Sequence, residues 1–99
     1  MHYRITRVQH PPEKRQAMLD LLKSKAEIIN SFEGLRYVRM ISVSDTEVVA
    51  ISEYESEEAL QAVQGRFREV MSEMMPLMSG APSVSNGDAI WEQVRVSDD

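Results

Sequence analysis

The chain has 99 residues, 42% of them hydrophobic, with a formal net charge of −5 and no cysteine. We expect one small domain over residues 1–99, which buries only a modest share of its unfolded surface. The missing cysteines exclude disulfides and thiolate metal sites. The excess of acids opposes a phosphate backbone, so we expect no nucleic acid as a partner.

The first ten residues, MHYRITRVQH, carry charges every few positions, where a signal peptide needs an uninterrupted apolar segment. No later segment approaches the length that spans a membrane. The sequence therefore predicts a cytoplasmic protein without a membrane partner.

The first elements in chain order are a strand and a helix. Alternating polar and apolar or β-branched residues predict a strand over residues 2–8, ended by Pro11 and Pro12. Proline suits a first helical turn, and apolar residues then recur at helical spacing: Met18, Leu21, Leu22, Ile28, Ile29 and Phe32. Gly34 can take the positive φ that the following turn requires.

Residues 35–44 and 47–54 predict two strands joined by a short polar loop, Asp45 and Thr46. A two-residue loop pairs Ser44 with Glu47. Counting back predicts one face with the pairs Val43 with Val48, Ile41 with Ala50, Arg39 with Ser52 and Tyr37 with Tyr54. The other face then pairs Ser42 with Val49, Met40 with Ile51 and Val38 with Glu53. Both faces contain apolar pairs, so each needs a cover.

A second helix is predicted to follow the hairpin, because the apolar period changes abruptly in EVVAISEYESEE. Ser56 is a good N-cap, and Glu57 and Glu58 lie where the helix dipole favours acids. We expect Gly65 to loosen this helix and Pro76 to disturb its last turn.

The last predicted element is a fourth strand over residues 88–96, followed by a frayed acidic tail. The resulting order, βαββαβ, is that of ferredoxin-like α+β folds, in which a four-stranded antiparallel sheet has both helices on one face. The apolar residues on the other face need a partner. A second copy of the same sheet, in a two-fold homodimer, is the most economical one.

Three segments resemble the antibiotic biosynthesis monooxygenase-like proteins of the dimeric α+β barrel superfamily: residues 32–35 (FEGL), the polar-tipped hairpin, and residues 52–60 (SEYESEEAL). In that family a Pro-Gly-Phe-like turn precedes the second strand, and an aromatic, a Glu and a Ser-Glu-Glu-Ala-like run open the second helix. The resemblance spans nearly the whole chain in element order. It implies a cavity between sheet and helices, and a barrel formed by two subunits.

Characterised members of that family include cofactor-free oxygenases of polycyclic phenols and haem-degrading enzymes. The resemblance therefore implies a monooxygenase that needs no cofactor and acts on a small apolar or aromatic molecule. The family's oxygenases tend to place an Asn on the first strand and a Trp in the second helix. By ungapped matching this chain has Thr6 or Arg7 and Val63 there.

Haem degraders add a histidine on the second helix, and no histidine follows His10, so we expect no haem breakdown. These departures leave a second interpretation open, a non-catalytic dimeric module with a ligand-binding, structural or regulatory role. His2 and His10 are interpreted as surface histidines, His10 alternatively as a weak base at a pocket mouth. Neither has metal-ligand spacing to an acid, so we predict no metal site.

No catalytic residue is identified, because no nucleophile–base pair or phosphate loop is visible. Six residues are candidates for ligand binding: Arg39, Tyr37, Tyr54, Ser52, Trp91 and Met71. The three aromatic candidates either stack on a planar ligand or fill the core or a dimer interface. Met71 belongs to a methionine-rich helix end, which packs the core or forms an adaptable cavity wall.

Arg39 has two interpretations because a charge in an apolar stripe is costly unless it is neutralised. It either forms an intersubunit ion pair, for example with Glu53 or Glu92, or binds an anionic or phenolate oxygen of a ligand. The predicted register places it opposite Ser52.

Overall fold

The computed structural model describes residues 1–95. Its strands and helices are β1 (His2–Gln9), α1 (Arg15–Ser24), α2 (Ala26–Asn30), β2 (Leu35–Ser44), β3 (Glu47–Tyr54), α3 (Glu57–Ala62), α4 (Gln64–Met74) and β4 (Ser83–Asp88). Short 3-10 turns precede α1 and follow α4. The strands form one antiparallel sheet in the order β2-β3-β1-β4, which confirms the predicted ferredoxin-like α+β fold.

Each predicted helix is divided into two. α1 and α2 meet at Lys25, and α3 and α4 meet at Val63, where the backbone leaves the helical region. The loosening expected at Gly65 therefore falls at Val63 instead. Ser56 caps α3 as predicted, since its Oγ accepts a hydrogen bond from the amide of Ala59 at 3.1 Å. Pro76 lies in the 3-10 turn Met75–Leu77, where the last turn was expected to be disturbed.

The β2–β3 hairpin turns where predicted, and Ser44 pairs with Glu47. The rest of the predicted register is wrong, because the pairing shifts by one residue between Ser42 and Ser44. Val43 is the extra residue of this β-bulge. A one-residue shift exchanges the two faces of a strand relative to its partner.

The bulge separates residues that the predicted register places opposite each other. Ser52 lies opposite Val38, whereas Arg39 lies opposite Ile51 and Tyr37 opposite Glu53. A second irregularity, between Leu35 and Tyr37, lets Leu35 pair with Tyr54.

The core lies between the sheet and the helices. One cluster joins Val8 and Val48 of the sheet to Met18 and Met74 of the helices, each at most 3% exposed. A second cluster contains Phe32, Tyr54, Leu60 and Val63. We call this side of the sheet the helix-covered face and the opposite side the open face.

The predicted fourth strand is wrong in position. β4 is Ser83–Asp88 and pairs with β1, from Arg7 opposite Ser83 to His2 opposite Asp88. Its sequence SVSNGD has little strand character, so pairing with β1 outweighs local preference. Residues 89–95 are not in a strand, and the side chains of Ile90 and Trp91 are 99% and 75% exposed. Val96 and the predicted tail lie outside the described residues.

Within residues 1–95, no helix is long and apolar enough to cross a bilayer.

Candidate functional site

A cavity of about 80 Å³ lies between the helix-covered face and the helices. Alternate residues of β1 and β3 form its floor, since successive side chains of a strand point to opposite faces. The helix side of the lining is apolar: Leu22, Ile29, Phe67, Val70, Met71 and Met74. The cavity is therefore a mainly apolar space in which a few polar groups can orient a ligand.

The charged group of this cavity is Arg4, which is 2% exposed. Its Nη1 donates a hydrogen bond to Tyr54 Oη at 2.9 Å, and its Nη2 donates to Gln64 Oε1 at 2.7 Å. The guanidinium carbon lies 3.7 Å from the centre of the Phe67 ring and 5.3 Å from that of Tyr54. These contacts hold the guanidinium against two aromatic rings.

Arg4 has no acidic partner within the described part of the chain, since none of the ion pairs among residues 1–95 includes it. Its burial lowers the pKa of the guanidinium, an effect that the nearby Tyr54 opposes. A buried cation without a carboxylate is costly, because low dielectric surroundings penalise the isolated charge. An anion in the cavity would offset this cost.

Two hydroxyl side chains complete the polar end of the cavity. Ser52 lies directly opposite Arg4 in the β1–β3 pairing, and Thr6 lies two residues further along β1. They are 7% and 3% exposed. Together with Tyr54, these hydroxyls place three oxygen atoms on the same lining as the guanidinium.

The six sequence-predicted candidates fall on two sides of the sheet. Ser52, Tyr54 and Met71 line the cavity. The other three, Tyr37, Arg39 and Trp91, line a concavity on the open face. The expectation that Arg39 and Ser52 face each other is wrong, because the bulge at Val43 moves Arg39 to the other face.

The open-face concavity has its own polar network. Tyr3 Oη donates to Glu53 Oε2 at 2.7 Å, and Arg36 Nε lies 3.0 Å from Glu53 Oε1. The hydrogen bond between Tyr3 and Glu53 raises the pKa of the tyrosine and lowers the pKa of the carboxyl group. The guanidinium of Arg39 instead lies over the Tyr37 ring, 4.1 Å from its centre.

Both histidines are buried, which corrects the surface interpretation: His2 is 4% and His10 1% exposed. His2 lies at an even-numbered position of β1, and His10 directly follows the strand. Both side chains lie on the helix-covered face. His10 Nδ1 donates to the carbonyl of Pro11 at 2.7 Å, and its Nε2 accepts from Arg15 at 3.3 Å. No cluster of three potential metal ligands occurs in the stretch from residue 1 to residue 95.

His2 connects β1 to β4. Its Nδ1 lies 2.7 Å from Asp88 Oδ1, and its Nε2 lies 2.8 Å from Asn86 Oδ1. These hydrogen bonds, chiefly that to Asp88, raise the pKa of His2.

Arg4, Thr6 and Phe67 line the cavity but were not predicted from the sequence as cavity residues. A signal for Arg4 was present, because it shares the even-numbered face of β1 with the apolar Val8. Ile5 on the odd-numbered face gave the opposite indication, and it is 40% exposed on the open face. Which face the helices cover is not encoded within β1 itself.

The model of the antibiotic biosynthesis monooxygenase family matches residues 1–73. The chain belongs to this family. No curated protein sequence gives a significant match.

Solved structures share the fold. Rv0793 from Mycobacterium tuberculosis has a TM-score of 0.77 and 21% identity, covering 94% of this chain and 98% of its own. A mutant of SnoaB, a cofactor-independent oxygenase from Streptomyces nogalater, has a TM-score of 0.76 and 12% identity, with 92% and 94% covered. A monooxygenase from the gene ActVA-Orf6 of Streptomyces coelicolor, in complex with nanaomycin D, has a TM-score of 0.76 and 18% identity, with 96% and 92% covered. At these identities the likeness shows the fold alone.

Proposed function

We propose that this protein is a cofactor-independent monooxygenase that acts on a small hydroxylated aromatic molecule bound in the cavity. The observation that carries the proposal is Arg4, a guanidinium 2% exposed whose hydrogen-bond partners in the described chain are the neutral side chains of Tyr54 and Gln64. A phenol that binds here is favoured in its ionised form, because a nearby positive charge lowers its pKa.

The substrate supplies the electrons in such a reaction. An ionised phenol activates a neighbouring CH2 carbon of the same molecule, which reduces O2. Two carbon–hydrogen bonds break, one oxygen atom becomes a new carbonyl, and the other leaves as water with the two hydrogens. Arg4 stabilises the oxyanion through the reaction, the usual way in which a fixed charge in a dry site contributes to rate.

Ser52, Tyr54 and Met71 keep their predicted roles in this proposal. Ser52 and Tyr54 orient the substrate oxygen beside Arg4, and Met71 is part of the apolar wall. Support comes from the β1–β3 pairing, which puts Ser52 opposite Arg4, and from the Tyr54–Arg4 hydrogen bond of 2.9 Å.

The test is oxygen uptake with hydroxylated aromatic substrates that carry such a CH2 group. Arg4→Met should lower the rate by about 10- to 100-fold, the effect of losing one hydrogen bond to a charged group. Arg7→Met is the matched control: Arg7 lies on the same strand but on the open face, with a side chain 58% exposed. Its rate should equal that of the wild type. Equal losses in both variants, with circular dichroism showing both folded, would contradict the assignment of Arg4.

A second candidate function is a non-catalytic ligand-binding module. It is favoured because the chain lacks the Asn and the Trp that family oxygenases tend to carry. Thr6, matched to the Asn position, lines the cavity, but Val63, matched to the Trp position, is packed in the core beside Phe32 and Tyr54. Binding of phenols that depends on Arg4, without oxygen uptake by any of them, would support the module over the enzyme.

We also propose that two copies assemble through their open faces into the dimeric α+β barrel. Ile5, Ile41, Ile90 and Trp91 are exposed by 40% or more, although such side chains are usually buried. Two-fold pairing of identical sheets covers these residues in both copies. In this arrangement Tyr37 and Trp91 are interface aromatics rather than ligand-binding residues.

Arg39 then forms an intersubunit ion pair. Of the two acids considered, Glu53 is engaged by both Tyr3 and Arg36, whereas Glu92 accepts only a longer hydrogen bond of 3.4 Å from Tyr3, so Glu92 of the second copy is the favoured partner. Arg39→Met should weaken the dimer by about 3 kcal/mol, because it leaves the acid buried without its partner. Sedimentation across a dilution series measures this, and a double-mutant cycle with Glu92→Gln isolates the pair. An 11.3 kDa species alone at micromolar wild-type concentration would refute the dimer.

A further inference from the structure

The size of the cavity limits what it can hold. Its volume is about 80 Å³. A protein cavity that binds benzene measures about 150 Å³. Pockets that bury drug-sized ligands, such as molecules of three fused rings, are larger again, about 300–1000 Å³. A single ring therefore needs a modest expansion of this cavity, whereas three fused rings need several-fold more space.

The walls differ in how far they can move. Tyr54 and Phe67 are held by Arg4, through a hydrogen bond and through ring contact at 3.7 Å. Met71 and Met74 have no such constraint in the lining, and unbranched thioether side chains adopt new rotamers at little cost. Met74 is 1% exposed within the core cluster, whereas Met71 is only half-buried. Met71 is thus the wall residue with most freedom to yield.

The cavity adjoins a surface groove. Leu22, Ile29 and Val38 line both the cavity and a surface groove between the first two helices and β2. Val38 is 46% exposed. These shared apolar side chains form the wall between the groove and the cavity.

We propose that the cavity selects single-ring phenolates and excludes fused three-ring phenols, and that Met71 is the wall residue that is displaced when the single ring enters. The inference rests on the proposed function, since it names the substrate class of the same cavity. The charge and the size of the ligand both matter. The ring must be anionic to pair with Arg4, and it must be small enough to fit once a single methionine side chain has been displaced.

The test compares two coloured phenols that are both largely ionised at about pH 8. 4-Nitrophenol has one ring, and alizarin has three fused rings. Absorbance titration of the wild type should show 4-nitrophenol binding at least about tenfold more tightly, since overpacking a closed site typically costs that much. Met71→Ala should tighten 4-nitrophenol binding about tenfold, because the ring no longer has to displace that side chain, and should leave alizarin excluded. Met75→Ala is the control, because Met75 is 45% exposed and does not line the cavity.

Arg4→Met identifies the site of binding and should weaken 4-nitrophenol about tenfold or more. Alizarin binding to the wild type as tightly as 4-nitrophenol, and dependent on Arg4, would overturn the size limit but leave the proposed function intact. Binding of neither phenol, or binding that ignores Arg4, would overturn both. Selective binding of 4-nitrophenol, without oxygen uptake by any single-ring phenol that carries the CH2 group, would refute the monooxygenase and retain the ligand class.

Discussion

The two faces of the sheet carry the same pair of side chains in different surroundings. On the helix-covered face Arg4 contacts Tyr54 and is 2% exposed, whereas on the open face Arg39 lies over Tyr37 and is exposed. Water screens the charge of Arg39, so it has little need of an anion in the single chain. Arg4 lacks that screening. Burial, and not the pairing of arginine with tyrosine, distinguishes the candidate ligand site from a surface for association.

The largest expected effect is a loss of stability from a substitution at Gly34, where a helix and the sheet approach each other closely. Gly34, just before β2, has a φ of +82°, and a Cβ added there would lie 2.5 Å from the Cβ of Ala59 in α3. Gly34→Ala should lower the free energy of unfolding by about 2–4 kcal/mol, because steric overlap adds to an unfavourable backbone conformation.

Gly65→Ala is the control for this prediction. Nothing lies within 4 Å of a Cβ at Gly65, which is inside α4. The substitution should raise the free energy of unfolding by about 0.5–1 kcal/mol, since alanine is the better helix former. Urea denaturation measures both variants, and a Gly34→Ala protein as stable as Gly65→Ala would contradict the packing described.

A smaller effect separates the two faces along a single strand. Val8 is 1% exposed on the helix-covered face of β1, and Ile5 is 40% exposed on its open face. Val8→Ala should lower the free energy of unfolding by about 2 kcal/mol and leave association unchanged. Ile5→Ala should change the stability of the single chain by less than about 1 kcal/mol but weaken the dimer. Denaturation combined with sedimentation distinguishes these outcomes, and the reverse pattern would invert the assignment of the faces.

The smallest expected effect concerns pH at the β4 edge of the helix-covered face. The pKa of His2 is raised above 6.5 by its hydrogen bonds to Asp88 and Asn86, and Glu57 of α3 adds to the shift. Protonated His2 therefore favours the folded state. Its contribution is fully present below pH 6.5, the unfolded value, and is lost as pH rises through the raised pKa.

Urea denaturation of the wild type and His2→Gln at about pH 5.5 and pH 8.5 measures this contribution through the proton linkage. The stability difference between the two proteins should be larger at the lower pH. Asp88→Asn should remove most of the pH dependence as well. A difference that grows with rising pH would show that His2 is neutral in the folded protein.

The sequence predicted the elements well where the signal was local. Ser56 before two acids correctly predicted the start of α3, and the Asp45–Thr46 loop correctly predicted the hairpin. β4 was misplaced, because its residues SVSNGD resemble a loop and the apolar residues after them resemble a strand. Pairing with β1 satisfies the backbone of β4 whatever its side chains, so the local pattern was misleading there.

The candidate site was predicted only in part, for a physical reason that centres on Val43. Capping, turns and apolar period are properties of neighbouring residues, and the sequence by itself determined the element order and the ferredoxin-like α+β class. A bulge depends on how two strands pair, and burial depends on which face the helices cover. Only the tertiary structure therefore decided that Arg39 lies on the open face and that Arg4, 2% exposed, lies in the cavity.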